Sequence, residues 1–264
     1  MDCKKRKKVT TVYLPIADII CKLESENYSD IQFFSTPLFL RKPKKTAQIY
    51  LQIRETKKYL LINSLPVKIN AKFRKDKIAP PLAPNLLIRS IIDINCFYFN
   101  ILLFHASSFK IKKNAYVFIG QSGYGKSTIA KSTALDNLLG DDVAVIKKIK
   151  GNYYIFTSAF DFYKVGHLRY QQVLLNTIYT IKQAKKNIIR PLTAQDKILC
   201  LLENTAFFLF LETGMNNNVK YYDEYTKEKI VTLFYNLIMN LIEKIGIYQL
   251  QFTKDTRFLK KINQ

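Results

Sequence analysis

The spacing of apolar positions near the start of the chain predicts a helix followed by strands. Ile16, Ile19, Ile20 and Leu23 recur at intervals of three and four residues, which indicates a short amphipathic helix over residues 15–28 with Pro15 in its first turn. Beyond it, short apolar runs are separated by charged or proline-containing turns, and an antiparallel meander is the simplest arrangement for them. The predicted strands cover residues 31–34, 47–53, 59–62 and 67–73.

A proline-containing segment at residues 76–84 is the best candidate for a domain boundary. The apolar pattern after it predicts a helix that begins at about Asn85, and residues 97–104 then have the character of a buried strand. We therefore predict two parts. Residues 1–84 form a β-rich scaffold or substrate platform, and residues 85–264 form a second domain.

A strand, a glycine loop and a helix are predicted in succession from residue 115. Ala115–Ile119 has strand character, and residues 128–135 have helical character. The segment between them, the glycine loop Gly120–Thr128, fits the pattern G-x-x-x-x-G-K-[ST]. Such a loop directs backbone N–H groups, and the positive end of the following helix, at phosphate oxygens. The predicted nucleotide-binding residues are Gly120, Ser122, Gly123, Tyr124, Gly125, Lys126, Ser127 and Thr128.

Within this loop, Lys126 is expected to lie against the β- and γ-phosphates, and the Ser127 hydroxyl to coordinate Mg²⁺. The alternative is a glycine-rich turn that carries an incidental lysine. Three of the eight glycines in the chain fall in this one loop, which favours the nucleotide interpretation.

Two adjacent carboxylates, Asp141 and Asp142, precede a second strand-like run at Val143–Ile146. One carboxylate can hold Mg²⁺ while the other accepts a proton from a hydroxyl group. A like-charged neighbour and partial burial would raise the pKa of one of them, as a general base requires. The alternative is a solvated turn between a helix and a strand.

Composition indicates a globular protein without a membrane span. The chain has 264 residues, of which 48% are hydrophobic, enough for a packed core. No apolar segment follows the basic first eight residues, which argues against a secretory signal, and Arg89 and Asp93 interrupt the longest apolar stretch. The four cysteines are scattered, which favours reduced thiols in a cytoplasmic protein over disulfides or a zinc site.

The net charge of +22 has two interpretations. The lysines are spread along the chain together with many Ile, Asn, Tyr and Phe residues and no Trp, a bias that an AT-rich genome produces by itself. The other interpretation is an acidic partner, with residues 4–8 as a basic tail. Because no recognition motif accompanies the lysines, binding to nucleic acid is the least favoured function.

Three motifs together resemble the C-terminal domains of the HPr kinase/phosphorylase family. His105–Ser108, the glycine loop and Gly140–Asp142 occur in the order and spacing of that family's H-A-S, G-x-S-G-x-G-K-S and A-D-D motifs. The resemblance covers roughly residues 85–264 and extends to the segments 178–184, 189–192 and 247–252. It implies an α/β fold related to PEP carboxykinase, in which a P-loop is set in a mixed sheet.

The resemblance also implies roles for individual residues. Asp141 would act as the base towards a substrate hydroxyl, and Asp142 would support Mg²⁺ together with Ser127. Lys126 would contact phosphate, and His105 would lie near the phosphates and assist proton transfer. For His105 the alternative is a neutral side chain packed at the end of a buried strand.

One departure from the family affects the choice of substrate. HPr kinases carry an R-G-x-G-x segment after the aspartate pair, whereas residues 157–169 here read TSAFDFYKVGHLR. The sequence therefore predicts an ATP- and Mg²⁺-dependent kinase for another hydroxyl, either a serine of a peptide or protein or a small metabolite. GTP is the other candidate nucleotide, and a non-catalytic ATP- or GTP-binding regulator is the alternative function.

The remaining pattern predicts further elements of an α/β domain. Residues 143–148 and 153–157 should form a hairpin around Gly151. Thr193 is a plausible N-cap for a helix over residues 194–203, and residues 227–244 should form an amphipathic helix.

Overall fold

The computed structural model describes residues 9–26, 43–74, 83–121, 123–160, 170–212, 219–221, 224–253 and 257–262. Six sequence predictions therefore lie wholly or partly outside the described residues. They concern the basic tail at residues 4–8, the last two residues of the helix over 15–28, the strand at 31–34, residues 76–82 of the proline-containing boundary segment, Ser122, and residues 161–169 of the segment that differs from the HPr kinases.

Two mixed sheets and six helices make up a strand-rich α/β architecture over the described residues. The first sheet has the order β1-β2-β3-β4-β5-β13. Its strands are β1 (Thr10–Ile16), β2 (Ile19–Ser25), β3 (Ile49–Glu55), β4 (Tyr59–Leu65), β5 (Ile69–Arg74) and β13 (Val219–Tyr221). The predicted antiparallel meander is present as β3-β4-β5, but the sheet as a whole is mixed because β2 and β3 run parallel.

The helix predicted over residues 15–28 is wrong, because β1 and β2 occupy this region as an antiparallel hairpin. Alternate residues of both strands, such as Leu14 and Cys21, are fully buried, which is the period-two pattern of a strand. Ala17 turns the chain with a φ of 52°. Pro15 is tolerated because β1 is an edge strand of the sheet.

The second sheet carries the glycine loop. Its strand order is β10-β9-β6-β7-β11-β14-β12, with β8 paired to β6. Its strands are β6 (Ile101–Ile111), β7 (Asn114–Ile119), β8 (Leu138–Gly140), β9 (Val143–Ile149), β10 (Asn152–Phe156), β11 (Gln172–Gln183), β12 (Ile188–Pro191) and β14 (Gly246–Phe252). Strands β7, β11 and β14 are parallel neighbours, and β6 is antiparallel to β7.

The helices pack against these sheets. They are α1 (Ala83–Phe97), α2 (Lys126–Lys131), α3 (Ala194–Leu202), α4 (Ala206–Glu212), α5 (Glu224–Lys244) and α6 (Phe258–Ile262). Two elements have other bounds than the sequence predicts. Helix α1 continues to Phe97, so the strand predicted from residue 97 starts at Ile101 as β6. The helix after the glycine loop, α2, ends at Lys131 instead of residue 135. Among the described residues, none of the helices has both the length and the apolar character needed to cross a membrane.

Helix α1 connects the two sheets. Asn95 is fully buried; its Oδ1 accepts a hydrogen bond from the Val67 N–H at 3.0 Å, and its Nδ2 donates to the Ser64 Oγ at 3.2 Å. One apolar core extends from the first sheet through α1 to the second. The proposed division of the chain at residue 84 stays a prediction.

The predicted N-cap of α3 is confirmed and leads to a stability prediction. The Thr193 Oγ1 accepts a hydrogen bond from the Asp196 N–H at 3.1 Å. Thr193→Ala removes this acceptor and should lower the free energy of unfolding by about 1 kcal/mol. Urea denaturation followed by circular dichroism measures the loss. Thr193→Ser keeps the hydroxyl and should stay within a few tenths of a kcal/mol of wild type; equal stability of the two variants would contradict the prediction.

Candidate functional site

The candidate site lies where three parallel strands end. The carboxyl ends of β7, β11 and β14 reach the same edge of the second sheet, as their pairing registers require. The glycine loop leaves β7 at this edge, Gln183 ends β11, and Phe252 ends β14. Ligands of α/β proteins commonly bind at the carboxyl ends of parallel strands. At the opposite end of β11, its first residues also pair with β10.

At Gly125 the glycine loop packs too closely against its neighbours for a larger residue. Gly125 is the N-cap of α2 and has a φ of 107°. A Cβ atom on Gly125 would lie 2.6 Å from the Cζ of Phe252 and 3.2 Å from the Nε2 of Gln183. The first helical hydrogen bond of α2 runs from the Ile129 N–H to the Gly125 carbonyl, so the N–H groups of the preceding turn are not used within the helix.

Lys126 is the first residue of α2, and its side chain turns back into the loop. The Nζ atom donates to the carbonyl oxygens of Gly120 at 2.6 Å and Gln121 at 3.3 Å. Burial lowers the pKa of Lys126, although the negative charge of Asp142 acts in the opposite direction. The Lys126 side chain is therefore held inside the glycine loop, where the negative charge of Asp142 acts on it.

The aspartate pair lies in an interruption between two strands that both pair with β6. His105 of β6 is opposite Val143 of β9, and Ser108 is opposite Gly140 of β8, so Asp141 and Asp142 occupy the gap. The Ala106 N–H donates to the Asp142 carbonyl at 2.9 Å and fixes the backbone of the pair. This turn is tight, because a Cβ atom on Gly140 would lie only 2.4 Å from the Val143 carbonyl oxygen.

His105 and Asp142 form a direct contact, with 3.2 Å between the Nδ1 and Oδ1 atoms. The His105 side chain is 41% exposed. Burial alone would raise the pKa of Asp142, but the hydrogen bond from His105 and the charges of His105, Arg89 and Lys126 outweigh it, and the pKa is lowered. Asp142 is therefore ionised at neutral pH.

A single cleft of about 300 Å³ brings most of the predicted residues together. It is lined by His105, Gly123, Gly125, Lys126, Ser127, Thr128, Asp141, Asp142 and Gln183. Of the predicted residues that the structure describes, two do not line it. Gly120 lies at the base of the loop, where it accepts the hydrogen bond from Lys126, and Tyr124 is 39% exposed outside the cleft.

Two residues of this region are missed by the sequence analysis. Gln183 lines the cleft, and its Nε2 lies 3.5 Å from the Gly123 carbonyl oxygen. Arg89 of α1 acts on Asp142 through its charge. Gln183 falls in the segment 178–184 of the family resemblance, but that resemblance assigns it no role. Arg89 and Asp93 are conspicuous as charged residues one turn apart in an otherwise apolar helix.

The oxygen atoms of the cleft fit a magnesium ion. The Ser127 hydroxyl and the Asp142 carboxylate are hard ligands of the kind that Mg²⁺ prefers, and both residues line the cleft. No group of three or more His, Cys, Asp and Glu side chains that could hold a metal occurs within the described parts of the chain. Mg²⁺ sites that use one or two carboxylates, with water and substrate phosphates as the other ligands, do not need such a group.

The two glycines of the loop with positive φ give a matched pair of substitutions. Gly125→Ala places a methyl group against Phe252 and Gln183, whereas a Cβ atom on Gly123, with φ 84°, meets nothing within 4 Å. Both variants carry backbone strain of about 1–2 kcal/mol, but only Gly125→Ala must also displace the loop. If the loop is a nucleotide site, Gly125→Ala should weaken nucleotide binding at least about 10-fold more than Gly123→Ala, an extra cost of about 1.4 kcal/mol.

Titration with a fluorescent ATP analogue measures this difference. Thermal unfolding of both variants shows whether each is folded at the assay temperature. Equal affinities in two folded proteins would mean that the packing of Gly125 does not shape the binding site.

A scan of the chain against protein-family models and a search among curated proteins gave no match.

Proposed function

We propose that the protein is a kinase that transfers the γ-phosphate of ATP, with Mg²⁺, to a hydroxyl group. The acceptor is a serine of a peptide or protein, or a small metabolite, and GTP is the other candidate donor. The observation that carries this proposal is the single cleft that joins a glycine loop and its lysine to His105, Asp141 and Asp142. A loop that only bound nucleotide with Mg²⁺ would use the Asp142 carboxylate but would not need Asp141 as a base. In this proposal, the second sheet is a P-loop sheet of the HPr kinase and PEP carboxykinase type.

Binding of the nucleotide would use the backbone of the loop and the Lys126 side chain. The N–H groups at the start of α2, which have no partner within the helix, would donate to phosphate oxygens. Lys126 would exchange its hydrogen bonds to the Gly120 and Gln121 carbonyls for bonds to the β- and γ-phosphates. Ser127 and Asp142 would hold Mg²⁺, which neutralises negative charge on the phosphates when bound.

Transfer would use the remaining cleft residues. Asp141 would accept the proton of the acceptor hydroxyl, while the oxygen of that hydroxyl forms a bond to the γ-phosphorus. The bond from the γ-phosphorus to the bridging oxygen breaks, and ADP leaves with that electron pair. Lys126 would stabilise the charge that develops on the phosphate oxygens. His105, which contacts Asp142 at 3.2 Å, would lie near the phosphates and assist proton transfer.

HPr itself is not the acceptor that we propose. The segment TSAFDFYKVGHLR, residues 157–169, lacks the glycine- and arginine-containing pattern of the HPr kinases. The reverse, phosphorolytic reaction is not part of the proposal for the same reason.

Transfer of label from γ-labelled ATP tests the proposal. The protein, with Mg²⁺, is added to a cell extract that is then separated into protein, peptide and small-molecule pools, and Asp141→Asn is run beside it. Label that enters one pool only with the wild-type protein would support a kinase and identify the class of acceptor. If nucleotide binds but every pool matches the variant, the protein is a nucleotide-binding regulator instead.

A further inference from the structure

The first sheet carries a second concave site, which we call the basic groove. It has a volume of about 380 Å³, within the range of ligand-binding clefts. Over the described residues, the basic groove and the candidate cleft at the glycine loop share no lining residue. The polar residues that line the basic groove are Tyr13, Lys22, Lys44, Lys45, Thr46 and Tyr50.

A row of side chains across three strands forms the sheet side of the basic groove. The pairing registers place Tyr13 of β1 opposite Lys22 of β2, and Lys22 opposite Tyr50 of β3. The residues before and after each member of this row are buried in the core. Because side chains alternate along a strand, the row itself points to the other face of the sheet. Residues 43–47, directly before β3, also line the groove.

The basic groove has an excess of positive charge. Lys22 is paired with Glu24 at 2.6 Å, so its charge is balanced. Lys44 and Lys45 are exposed, and neither has an ion pair within the described parts of the chain. Among the described residues, no Asp or Glu lines the groove. A ligand of this site therefore meets two positive charges that no carboxylate of the described chain balances.

The lining groups are mainly hydrogen-bond donors. The ammonium groups of the three lysines can only donate, and the hydroxyl groups of Tyr13, Thr46 and Tyr50 can also donate. Such a set fits the oxygen atoms of an anion. Phosphate sites commonly use glycine-loop N–H groups, helix N-termini or arginine, and none of these lines the groove within the described chain. Separate lysines on flexible stems suit several carboxylates along one chain.

The aromatic rings of the groove are less suited to nucleic acid. Base stacking uses the open faces of aromatic side chains. The Nζ atom of Lys22 lies over the Tyr50 ring, 5.8 Å from its centre. This ammonium group occupies one face of the ring, although the Tyr50 residue is 38% exposed. The hydroxyl group of Tyr50 is then the part that serves a ligand.

We propose that the basic groove docks an acidic segment of a peptide or protein, whose Asp or Glu side chains contact Lys44, Lys45 and the hydroxyl groups of the groove. The net charge of +22 favours such a partner, and the groove gives it a defined place on the first sheet. Docking of this kind requires no nucleotide. It is therefore independent of the proposed phosphate transfer and is measured without ATP.

Fluorescence anisotropy with a labelled peptide that contains a run of glutamates tests the proposal. The wild-type protein should bind this peptide, and should bind the same peptide with glutamines in place of the glutamates at least about 10-fold more weakly. The affinity should fall as the ionic strength rises, because exposed charges are screened. Failure to bind the glutamate peptide at low ionic strength, or equal binding of both peptides, would overturn the proposal.

Two double substitutions with the same change of charge locate the binding site. Lys44→Gln combined with Lys45→Gln should weaken binding of the glutamate peptide about 5- to 20-fold. The matched control is Lys57→Gln combined with Lys58→Gln, at the exposed turn between β3 and β4 outside the groove, which should change the affinity less than about 2-fold. Equal losses in the two variants would show that only the net charge matters, which would overturn the groove as the site.

Two further measurements test the groove against simpler explanations. Tyr50→Phe keeps the ring and the charge but removes one donor, and should weaken binding of the glutamate peptide about 2- to 5-fold. An unchanged affinity would mean that the two exposed lysines act without the groove. A single-stranded oligonucleotide with the same number of charges is titrated in parallel. Tighter binding of the oligonucleotide, lost when Lys44 and Lys45 are replaced, would overturn the peptide as the ligand in favour of nucleic acid.

Discussion

Asp141→Asn should reduce the rate of phosphate transfer about 100- to 10,000-fold, the range expected for loss of a general base. The Asp141 side chain lines the cleft next to the glycine loop. The amide of asparagine has nearly the same shape but cannot accept the proton of the attacking hydroxyl. Nucleotide affinity should stay close to wild type, because the loop and Lys126 are untouched. Single-turnover transfer and equilibrium titration with an ATP analogue measure the two quantities separately.

Asp142→Asn is the informative comparison for this prediction. Asp142 is the ionised member of the pair, in contact with His105 and influenced by Lys126 and Arg89. Its substitution should raise the Mg²⁺ concentration that is needed for half-maximal rate, whereas Asp141→Asn should not. If the Mg²⁺ requirement follows Asp141 instead, the two roles are exchanged. If neither variant loses activity, the aspartate pair is only a turn.

Lys126→Ala should slow transfer about 100- to 1,000-fold, which corresponds to about 2.7–4 kcal/mol of transition-state stabilisation. Lys126 is 7% exposed, and its Nζ lies inside the glycine loop, so its charge acts where little water competes. The substitution also removes the hydrogen bonds to the Gly120 and Gln121 carbonyls. Some loss of nucleotide affinity should therefore accompany the loss of rate.

The matched control is Lys131→Ala, at the exposed end of the same helix. It removes a positive charge from α2 without touching the loop and should leave both rate and affinity near wild type. Turnover of ATP at the wild-type rate by a folded Lys126→Ala protein would contradict the kinase proposal. Equal losses in the two variants would show that only the general charge of α2 matters.

Local patterns were sufficient for the elements whose signals lie within a few residues. The strand before the glycine loop, the Thr193 cap and the hairpin of β9 and β10 are present as predicted. In the hairpin, Lys150 and Gly151 both have positive φ, which suits the tight turns that join antiparallel strands. Each of these features depends on contacts between residues that are close in sequence.

The first helix was predicted incorrectly because its signal was ambiguous. Ile16, Ile19 and Leu23 fit a helical period only when they are counted across the turn at Ala17. Counted within each strand, the buried residues alternate with partly exposed ones. A sequence window that contains a two-residue turn can fit both the helical and the strand period. The pairing of β2 with β3 selects the strand.

Of the candidate site, only the contiguous motifs can be predicted from the sequence. The glycine loop and the aspartate pair can be recognised from their own residues, and the cleft contains both. Gln183 and Phe252 reach the loop because β11 lies next to β7 in the sheet and β14 lies next to β11. Their register cannot be derived from the loop sequence. The position of Arg89 likewise depends on how helix α1 packs on strand β6, which a local sequence pattern does not give.

The contact between Phe252 and Gly125 also affects the order in which the site can form during synthesis. The loop motif leaves the ribosome long before β14, which supplies the ring against which Gly125 is fitted and the last of the three parallel strands. A nascent chain that stops before Gly246 would contain every residue of the motif but would lack the side chain against which Gly125 is packed. Since domains fold as their chains emerge, the loop would reach its packed conformation only once the C-terminal strand has been added.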